Sequence, residues 1–373
     1  MAKKVLIVGG GPAGTIAALA LHEKGVEVEI VEIEDSFKAV GIGVNLQNSP
    51  LRALNKLGLV EEINELGHPI HVVNMLNSDG EPLGPPITPP SLVPGMPAAI
   101  AIGRGELAKL FGDKVLERGI RARFGQSITN LNQLDDQVEV TFTDQSKETF
   151  DLVIGADGIN SKVRRLVFGD EQYNTKYSGQ VIWRAAAPLG NVSEYQMFNG
   201  RGTKIGLVPI SKEKMYVFVV QASEEEPHKQ ESKNQMEAMR EAMQSFGGII
   251  PDLIATLEEP ADIRALKSLI VTEDWYRGRV LLIGDAAHAC TPHISYGLGM
   301  AVEDGLVLAE LFESSGEDFD IALPKFMERR YERCFKVVAA SDQLSAWELS
   351  PPADRSDYQK LMSQALVELS QPI

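Results

Sequence analysis

Gly9-Gly10-Gly11-Pro12-Ala13-Gly14 follows the apolar run Lys4 to Val8 and precedes a stretch of helix-forming residues. A GxGxxG motif between a strand and a helix is typical of a dinucleotide-binding βαβ unit. In such a unit the first glycine makes the tight turn, the second lets a pyrophosphate approach the backbone, and the third lets the helix pack on the strand. The helix N-terminus adds N–H donors and a favourable dipole. The motif therefore predicts a bound nucleotide cofactor.

The second strand of this unit spans the run from Val26 to Glu32. Glu32 ends that strand, where an acidic side chain can accept hydrogen bonds from ribose hydroxyls. The βαβ unit alone does not separate NAD from FAD.

Two later segments narrow the choice of cofactor. A buried-strand pattern beginning at Arg279 ends in Gly284-Asp285. An aspartate at the carboxyl end of such a strand can hydrogen-bond a polyol, and FAD has a ribityl chain that NAD lacks. The segment from Gly155 to Arg164 also follows a strand, although a simple turn and helix N-cap is an alternative interpretation. The Gly-Asp segment favours FAD.

Between these motifs the pattern changes from helix-rich to strand-rich. Residues 177–221 contain three strand-like runs separated by turn residues, which predicts a mostly antiparallel sheet. Because the nucleotide-fold pattern returns at 278–285, the sheet is an insertion. Seven prolines between Pro82 and Pro97 predict a surface excursion without helix or central strand. We also expect a helical stretch over 49–66 and a long helix beginning near Pro324.

The predicted fold class is α/β with an α+β insertion. A Rossmann-like FAD-binding domain carries an inserted, mostly antiparallel substrate-binding sheet and a C-terminal helical region. The predicted boundaries are 1–72, 98–172 and 272–345 for the discontinuous FAD-binding domain, 73–97 for the proline-rich excursion, 173–271 for the sheet domain and 346–373 for the C-terminal helix. The last segment has an apolar stripe, which predicts core packing or a dimer contact. The stripe comprises Leu361, Met362, Ala365, Leu366 and Leu369.

Composition restricts the partners. The 373 residues include 52 acidic and 36 basic side chains, and the net charge of −16 opposes broad electrostatic binding to nucleic acid or anionic membrane. Cys290 and Cys334 lie in no metal-binding or redox pattern, so we expect no metal. No apolar run has the length of a membrane helix. We expect a cytoplasmic protein that is a monomer or a homodimer.

With the three motifs in this order, residues 4–345 resemble the single-component, FAD-dependent aromatic hydroxylases, the group typified by para-hydroxybenzoate hydroxylase. The resemblance implies that Asp157 and Asp285 contact FAD and that Arg104 lies near its pyrophosphate. It also implies that NADH or NADPH reduces the flavin, that O2 then forms a flavin C4a-hydroperoxide, and that one oxygen atom is transferred. The implied substrate is a small aromatic or heteroaromatic compound, such as a phenol, a hydroxybenzoate or a hydroxypyridine carboxylate.

One loop departs from the family pattern. Relatives usually have Gly-Gln-Gly after the proline, whereas here Pro292 is followed by His293-Ile294-Ser295-Tyr296-Gly297. The loop acts through its main chain, so we expect Pro292, Gly297 and Leu298 still to lie beside the flavin. His293 and Tyr296 are candidates for contact with substrate or flavin, and packing roles for both stay open.

Further substrate contacts are expected where the inserted sheet faces the flavin. Arg184, Tyr216 and Tyr177 are the candidates, and Arg184 suits a carboxylate. The predicted cofactor-binding residues are Gly9, Gly11, Pro12, Ala13, Gly14, Glu32, Arg104, Asp157, Gly284, Asp285, Pro292, Gly297 and Leu298.

Other functions share parts of this pattern. A flavin halogenase is disfavoured because its WxWxIP signature is absent, since Trp183 is followed by Arg184-Ala185. A flavin epoxidase or an enzyme that modifies polyketide antibiotics would carry the same three motifs. A non-catalytic binding protein, similar to the escort proteins of prenylated GTPases, is a further alternative. The intact glycines, Glu32 and Asp285 argue against it.

Overall fold

A computed structural model of the chain describes residues 2–38, 41–169, 173–224, 226, 232–354 and 356–373. The strands are β1 Lys4–Val8, β2 Glu27–Glu32, β3 Gly43–Leu46, β4 His68–Ile70, β5 Val73–Asn77, β6 Ala99–Gly103, β7 Arg121–Phe124, β8 Ile128–Gln133, β9 Val138–Phe142, β10 Lys147–Phe150, β11 Leu152–Gly155, β12 Lys176–Pro188, β13 Tyr195–Asn199, β14 Thr203–Pro209, β15 Lys214–Ala222, β16 Glu258–Ser268, β17 Tyr276–Arg277 and β18 Val280–Leu282. The helices are α1 Pro12–His22, α2 Asn48–Asn55, α3 Val60–Leu66, α4 Arg104–Glu117, α5 Lys162–Phe168, α6 Ser232–Met243, α7 Ile250–Ile254, α8 Asp285–His288, α9 Gly297–Ser314, α10 Phe319–Leu349 and α11 Ser356–Ser370.

The first sheet has the strand order β17-β18-β11-β1-β2-β7, and every pair from β18 to β7 is parallel. Its central strand β1 is almost wholly apolar, as expected of a parallel strand covered on both faces. Helix α1 connects β1 to β2, which confirms the predicted βαβ unit. Helix α9 lies against α1 so closely that a Cβ on Gly305 would be 2.8 Å from the Cα of Ala17.

The second sheet has the order β16-β12-β15-β14-β13-β5 and is antiparallel except where β5 pairs with β13. This confirms the predicted inserted, mostly antiparallel sheet. Side chains alternate along β12, so Val181, Trp183 and Ala185 join a core with α6 and α7. Ile182 and Arg184 lie on the opposite face of the sheet, where they line a large cavity.

Two three-stranded sheets, β10-β9-β8 and β3-β6-β4, complete the strands. Helices α10 and α11 pack on the body of the protein, and Leu369 of the predicted apolar stripe is 3% exposed. No helix in the described ranges combines the length and the apolar character needed to cross a membrane.

Several boundaries differ from expectation. The helical stretch over 49–66 is two helices, because the chain turns at Gly58, whose φ of +70° favours glycine. The long C-terminal helix begins at Phe319 rather than near Pro324, since the Asp318 side chain caps it by accepting a hydrogen bond from the Asp320 N–H. The proline-rich excursion begins with an edge strand, β5. Part of the polar stretch 223–234 lies outside the described residues.

Candidate active site

The glycine-rich loop has the shape that a dinucleotide needs. Gly9 has a φ of +111°, and a Cβ there would lie 2.4 Å from the Ala156 carbonyl oxygen. A Cβ on Gly14 would lie 2.0 Å from the Gly9 oxygen, so both positions exclude larger side chains. A Cβ on Gly11 would meet no atom within 4 Å. The first and third glycines are therefore required by close packing, and the second leaves open space for a phosphate group.

The N-terminus of α1 has no side-chain cap, and Pro12 occupies its first turn. The loop also holds the acidic residue that ends β2. Glu32 accepts hydrogen bonds from the Gly10 N–H at 2.5 Å and from the Glu34 N–H at 2.9 Å. The carboxylate therefore lies at the loop, and its contact with a ribose stays a prediction.

Asp157 lies beside this loop, because a Cβ on Gly9 would be 3.1 Å from its Cα. Its carboxylate accepts from the Ser161 hydroxyl at 2.5 Å and from the backbone N–H groups of Lys162 and Val163 at 2.6 and 3.1 Å. These bonds cap α5. The structure thus shows the capping role that the sequence left open, and a direct contact between Asp157 and a cofactor stays a prediction.

The Gly-Asp segment packs against the same loop. Gly284 has a φ of +58°, and a Cβ there would lie 2.9 Å from the Ala13 Cβ. Asp285 is the first residue of α8, and it lines a large cavity. Burial raises the pKa of the Asp285 carboxyl group, while the charges of His288 and Arg104 act to lower it. The structure therefore brings the glycine-rich loop and the Gly284-Asp285 segment into contact.

The cavity has a volume of about 2600 Å³ and lies between the second sheet, the loop 289–298, β3 and α11. Many residues that the sequence singled out line it. They are Arg104, Arg184, Tyr216, Asp285, Pro292, His293, Gly297 and Leu298. Gly297 and Leu298 open α9, whose N-terminus has no side-chain cap. Backbone N–H groups at this helix start can bind a partial negative charge, as the flavin N1–O2 edge would require.

A polar corner lies on the sheet side of the cavity. Arg184 donates a hydrogen bond from Nη2 to Asp262, the residue opposite it on β16, and Arg264 donates to the same carboxylate at 3.1 Å. The Nε of Arg184 is buried and has no hydrogen-bond partner in the described part of the chain. Burial raises the pKa of Tyr216 to about 12, while Arg184 and Arg104 partly oppose that rise. Tyr216 therefore remains a neutral phenol at pH 7.

Arg104 begins α4 and extends towards the same corner. A Cβ on Gly41 would lie 3.0 Å from both the Arg104 Cδ and the Arg184 Nη1, so the two guanidinium groups are neighbours. Burial and the charge of Arg184 lower the pKa of Arg104, and Asp285 offsets part of the effect. Two neighbouring cations of this kind favour an anionic occupant.

Two candidates lie away from the cavity. Tyr296 is 1% exposed, and its hydroxyl donates to Glu303 at 2.6 Å. The preceding residue, Ser295, has a φ of +56°, and the Tyr296 ring packs in the core. Tyr177 donates its hydroxyl to the Ser223 carbonyl at 2.9 Å. Neither lines the cavity, so the expected substrate-facing positions of Tyr296 and Tyr177 are corrected.

A buried charge network supports the Gly-Asp segment. Asp304 accepts hydrogen bonds from the Gly284 N–H at 2.9 Å and from Arg330 at 2.8 Å, and its carboxylate lies 2.7 Å from His288 Nε2. Burial alone would lower the pKa of His288, but Cys334 and Asp304 together raise it well above its usual range. His288, Asp304 and Cys334 are close enough to bind a metal. Arg330 donates to both Asp304 and Cys334, so its guanidinium occupies the space between them.

A second network was not predicted. Glu348, near the end of α10, accepts hydrogen bonds from Lys204 at 2.5 Å, from Gln180 at 3.0 Å and from Tyr358 at 2.8 Å, and it lies 3.2 Å from His293 Nε2. Burial and the charge of Lys204 lower the pKa of His293, and the Glu348 carboxylate partly opposes this. His293 therefore lines the cavity while its ring is held by α10. These residues are distant in sequence, so no local pattern indicated their meeting.

Comparison with known proteins identifies the family of this chain. The family described as FAD binding domain matches residues 2–316. The 2-heptyl-3-hydroxy-4(1H)-quinolone synthase of Pseudomonas aeruginosa is 32% identical over 313 residues, 83% of this chain and 80% of that protein. The 6-hydroxynicotinate 3-monooxygenase of Bordetella bronchiseptica is 28% identical over 354 residues, 91% of this chain and 90% of that protein.

A solved structure extends the comparison to the fold. The structure of Klebsiella pneumoniae HpxO complexed with FAD and uric acid has a TM-score of 0.86 against this chain, at 23% sequence identity. The match covers 99% of this chain and 97% of that one. At this identity the likeness shows the fold, which is the predicted FAD-binding fold with its inserted sheet.

Proposed function

This chain belongs to the FAD binding domain family, and we propose that it is an FAD-dependent monooxygenase that uses NADH or NADPH and O2 to hydroxylate a small aromatic or heteroaromatic compound. The cavity is the observation that carries the proposal. Asp285 and the start of α9 line it together with Arg184 and Tyr216 of the inserted sheet, and Arg104 lies beside Arg184. A flavin and a substrate ring can therefore lie next to each other between these walls.

The residues fit FAD on geometric grounds. Gly11 leaves space above the uncapped N-terminus of α1 for the pyrophosphate, and Asp285 faces the cavity where it can accept hydrogen bonds from a polyol. When bound, FAD would supply the redox chemistry that connects the nicotinamide with oxygen. The residues that would hold it are Gly9, Gly11, Pro12, Ala13, Gly14, Glu32, Arg104, Asp157, Gly284, Asp285, Pro292, Gly297 and Leu298.

The substrate side of the cavity provides binding and orientation. Arg184 is held by Asp262 through Nη2, and its side chain lines the cavity. A carboxylate, a phenolate or the oxygen of a hydroxylated heterocycle would form a charged hydrogen bond with this guanidinium group. Tyr216 is neutral and can donate a hydrogen bond to the same anionic group. His293 is held between Thr291 and Glu348, so it serves as a wall of the cavity rather than as a mobile base.

We base the proposed substrate class on the names of similar proteins. Their names include a quinolone, a hydroxynicotinate and uric acid, which are nitrogen heterocycles that carry oxygen. We extend this chemistry to the present chain, because an oxygen-bearing heterocycle is easily made anionic and the polar corner is rich in guanidinium groups. Hydroxylation of an electron-rich ring next to that oxygen is the proposed reaction.

The proposal also includes the domain division and the cellular location. We propose a discontinuous FAD-binding domain over 1–72, 98–172 and 272–345, a substrate-binding part made of the proline-rich excursion 73–97 and the sheet domain 173–271, and a C-terminal helix over 346–373. Residence in the cytoplasm is consistent with Cys290 and Cys334, which are both unpaired.

A substrate panel tests the proposal. The protein is reconstituted with FAD, and NADH or NADPH oxidation is measured with phenols, hydroxybenzoates, hydroxypyridine carboxylates and hydroxyquinolines. At least one hydroxylated heterocycle should accelerate nicotinamide oxidation and yield a hydroxylated product by mass spectrometry. If FAD binds and hydrogen peroxide is the sole product across the panel, the proposed substrate class is wrong. If the protein is colourless after reconstitution, the cofactor assignment is wrong.

A further inference from the structure

On the cavity face of the second sheet, one row of paired residues changes from polar to apolar. On neighbouring strands, Arg184 lies opposite Phe218, Phe218 opposite Gly206, Gly206 opposite Met197, and Met197 opposite Met75. The row therefore begins at the polar corner and becomes apolar. A Cβ on Gly206 would lie 2.1 Å from the Phe218 ring, so the ring lies over the glycine. Phe218, Met197 and Met75 all line the cavity and form an apolar trough.

Helix α11 also contributes apolar side chains to the cavity. Met362 and Leu366 line the same cavity. The position of the helix is fixed by Glu348, which accepts hydrogen bonds from Tyr358 at the start of α11 and from Lys204, two residues before Gly206 on β14. The apolar stripe of α11 thus serves the cavity as well as the core. Leu366 remains 37% exposed, which indicates that its neighbours within the chain do not fully cover it.

The cavity is also larger than one ring requires. Its volume is about 2600 Å³. This volume does not include the space next to the glycine-rich loop, because no residue of that loop lines the cavity. A site for a drug-sized ligand usually measures roughly 300 to 1,000 Å³. The cavity therefore has room for more than a flavin ring and a substrate ring. The apolar trough provides part of this additional space.

We infer that the substrate is an amphiphile, with its oxygen-bearing ring at Arg184 and an alkyl substituent in the apolar trough. The inference rests on the proposed function, since the ring must lie at the flavin for hydroxylation. Each methylene that leaves water for apolar surroundings should tighten binding about fourfold, which corresponds to about 0.8 kcal/mol.

Binding along a homologous series tests the inference. The FAD-loaded protein is titrated with 2-alkyl-4-hydroxyquinolines and 4-alkylphenols that carry methyl, butyl or heptyl chains, and Kd is read from the flavin absorbance. In at least one series Kd should fall by more than tenfold from methyl to heptyl. Met197→Trp should remove most of that gain and leave the methyl compound within about threefold. Val367→Trp, on the outer face of α11, is the matched control and should behave as the wild type, since Val367 is 62% exposed.

The outcomes separate the two proposals. Equal Kd values along both series in the wild type, or an equal loss for methyl and heptyl compounds in Met197→Trp, would overturn the trough. Retained flavin content and an unchanged Tm show that Met197→Trp is folded, and Leu366→Trp provides a second narrowing variant if it is not. Tighter binding of long chains without oxygenation of any compound supports the trough and overturns the proposed monooxygenase function.

Discussion

Arg184 and Asp262 lie opposite each other on neighbouring strands and form an ion pair on the cavity face of the inserted sheet. The pair holds the Arg184 guanidinium group in the lining of the cavity. A hydrogen bond to a charged group is stronger than a neutral one, so a ligand that presents an anionic acceptor to this guanidinium group gains affinity. The ion pair therefore prepares Arg184 to bind an anionic substrate group.

Arg184→Gln should weaken the binding of an anionic substrate about 10- to 100-fold, which is the effect of losing a charged hydrogen bond. Flavin content should not change, because Arg184 is not among the proposed FAD ligands. Substrate Kd from flavin absorbance and the flavin-to-protein ratio are the two measurements. Asp262→Asn keeps the guanidinium and should give a smaller loss. An unchanged Kd in Arg184→Gln would show that the anionic group lies elsewhere.

Asp285→Ala should reduce FAD retention by at least about tenfold, because a carboxylate that accepts hydrogen bonds from the ribityl chain is lost. Flavin absorbance of the purified protein and fluorescence titration of the apoprotein measure this effect. Asp252→Ala on α7 removes an exposed carboxylate and is the control. If both variants retain the same flavin content, our interpretation of the Gly-Asp segment fails.

Gly14→Ala should disturb the glycine-rich loop, since the new Cβ would lie 2.0 Å from the Gly9 oxygen. The helix must move away from the strand, at a cost of about 1–3 kcal/mol in unfolding free energy. Thermal melting and flavin content should both decrease. Gly105→Ala is the control, because a Cβ there meets no atom within 4 Å and alanine favours helices. Normal melting and flavin content in Gly14→Ala would contradict the packing described.

Glu348→Gln should change how stability depends on pH. Burial alone would raise the pKa of Glu348, but Lys204 and His293 hold it well below its usual range. A carboxylate with a lowered pKa stabilises the fold above its unfolded pKa, and the contribution is lost as the pH falls towards the folded value. The wild type should therefore lose more Tm than Glu348→Gln between pH 5 and pH 3. Parallel Tm curves for the two proteins over this range would show that the ion cluster contributes little.

Much of the cofactor side was predictable because its function depends on contiguous backbone. Gly9 and Gly14 are fixed by local packing, and Gly284-Asp285 ends a recognisable buried strand. The substrate side depends on long-range register. The Arg184–Asp262 pair requires the offset between two strands, which one sequence does not specify.

The direction in which a side chain points was also not predictable from the sequence, as Tyr296 shows. The positive φ of Ser295 and the inward position of Tyr296 have no signal in a sequence where serine usually has negative φ. Glu348 collects partners from the sheet, from α11 and from the loop after α8, so its role follows only from the assembled fold. Asp157 caps α5, as the local Asp-x-x-x-Ser spacing allowed.

Isotope labelling tests the central claim most directly. The FAD-loaded protein is supplied with NADH or NADPH and a hydroxylated heterocycle under ¹⁸O2 in ordinary water, and the product is analysed by mass spectrometry. We predict that one labelled oxygen atom is incorporated per product molecule and that one nicotinamide is oxidised for each. A product without label, or oxidation of the nicotinamide that yields only labelled hydrogen peroxide, would contradict the account.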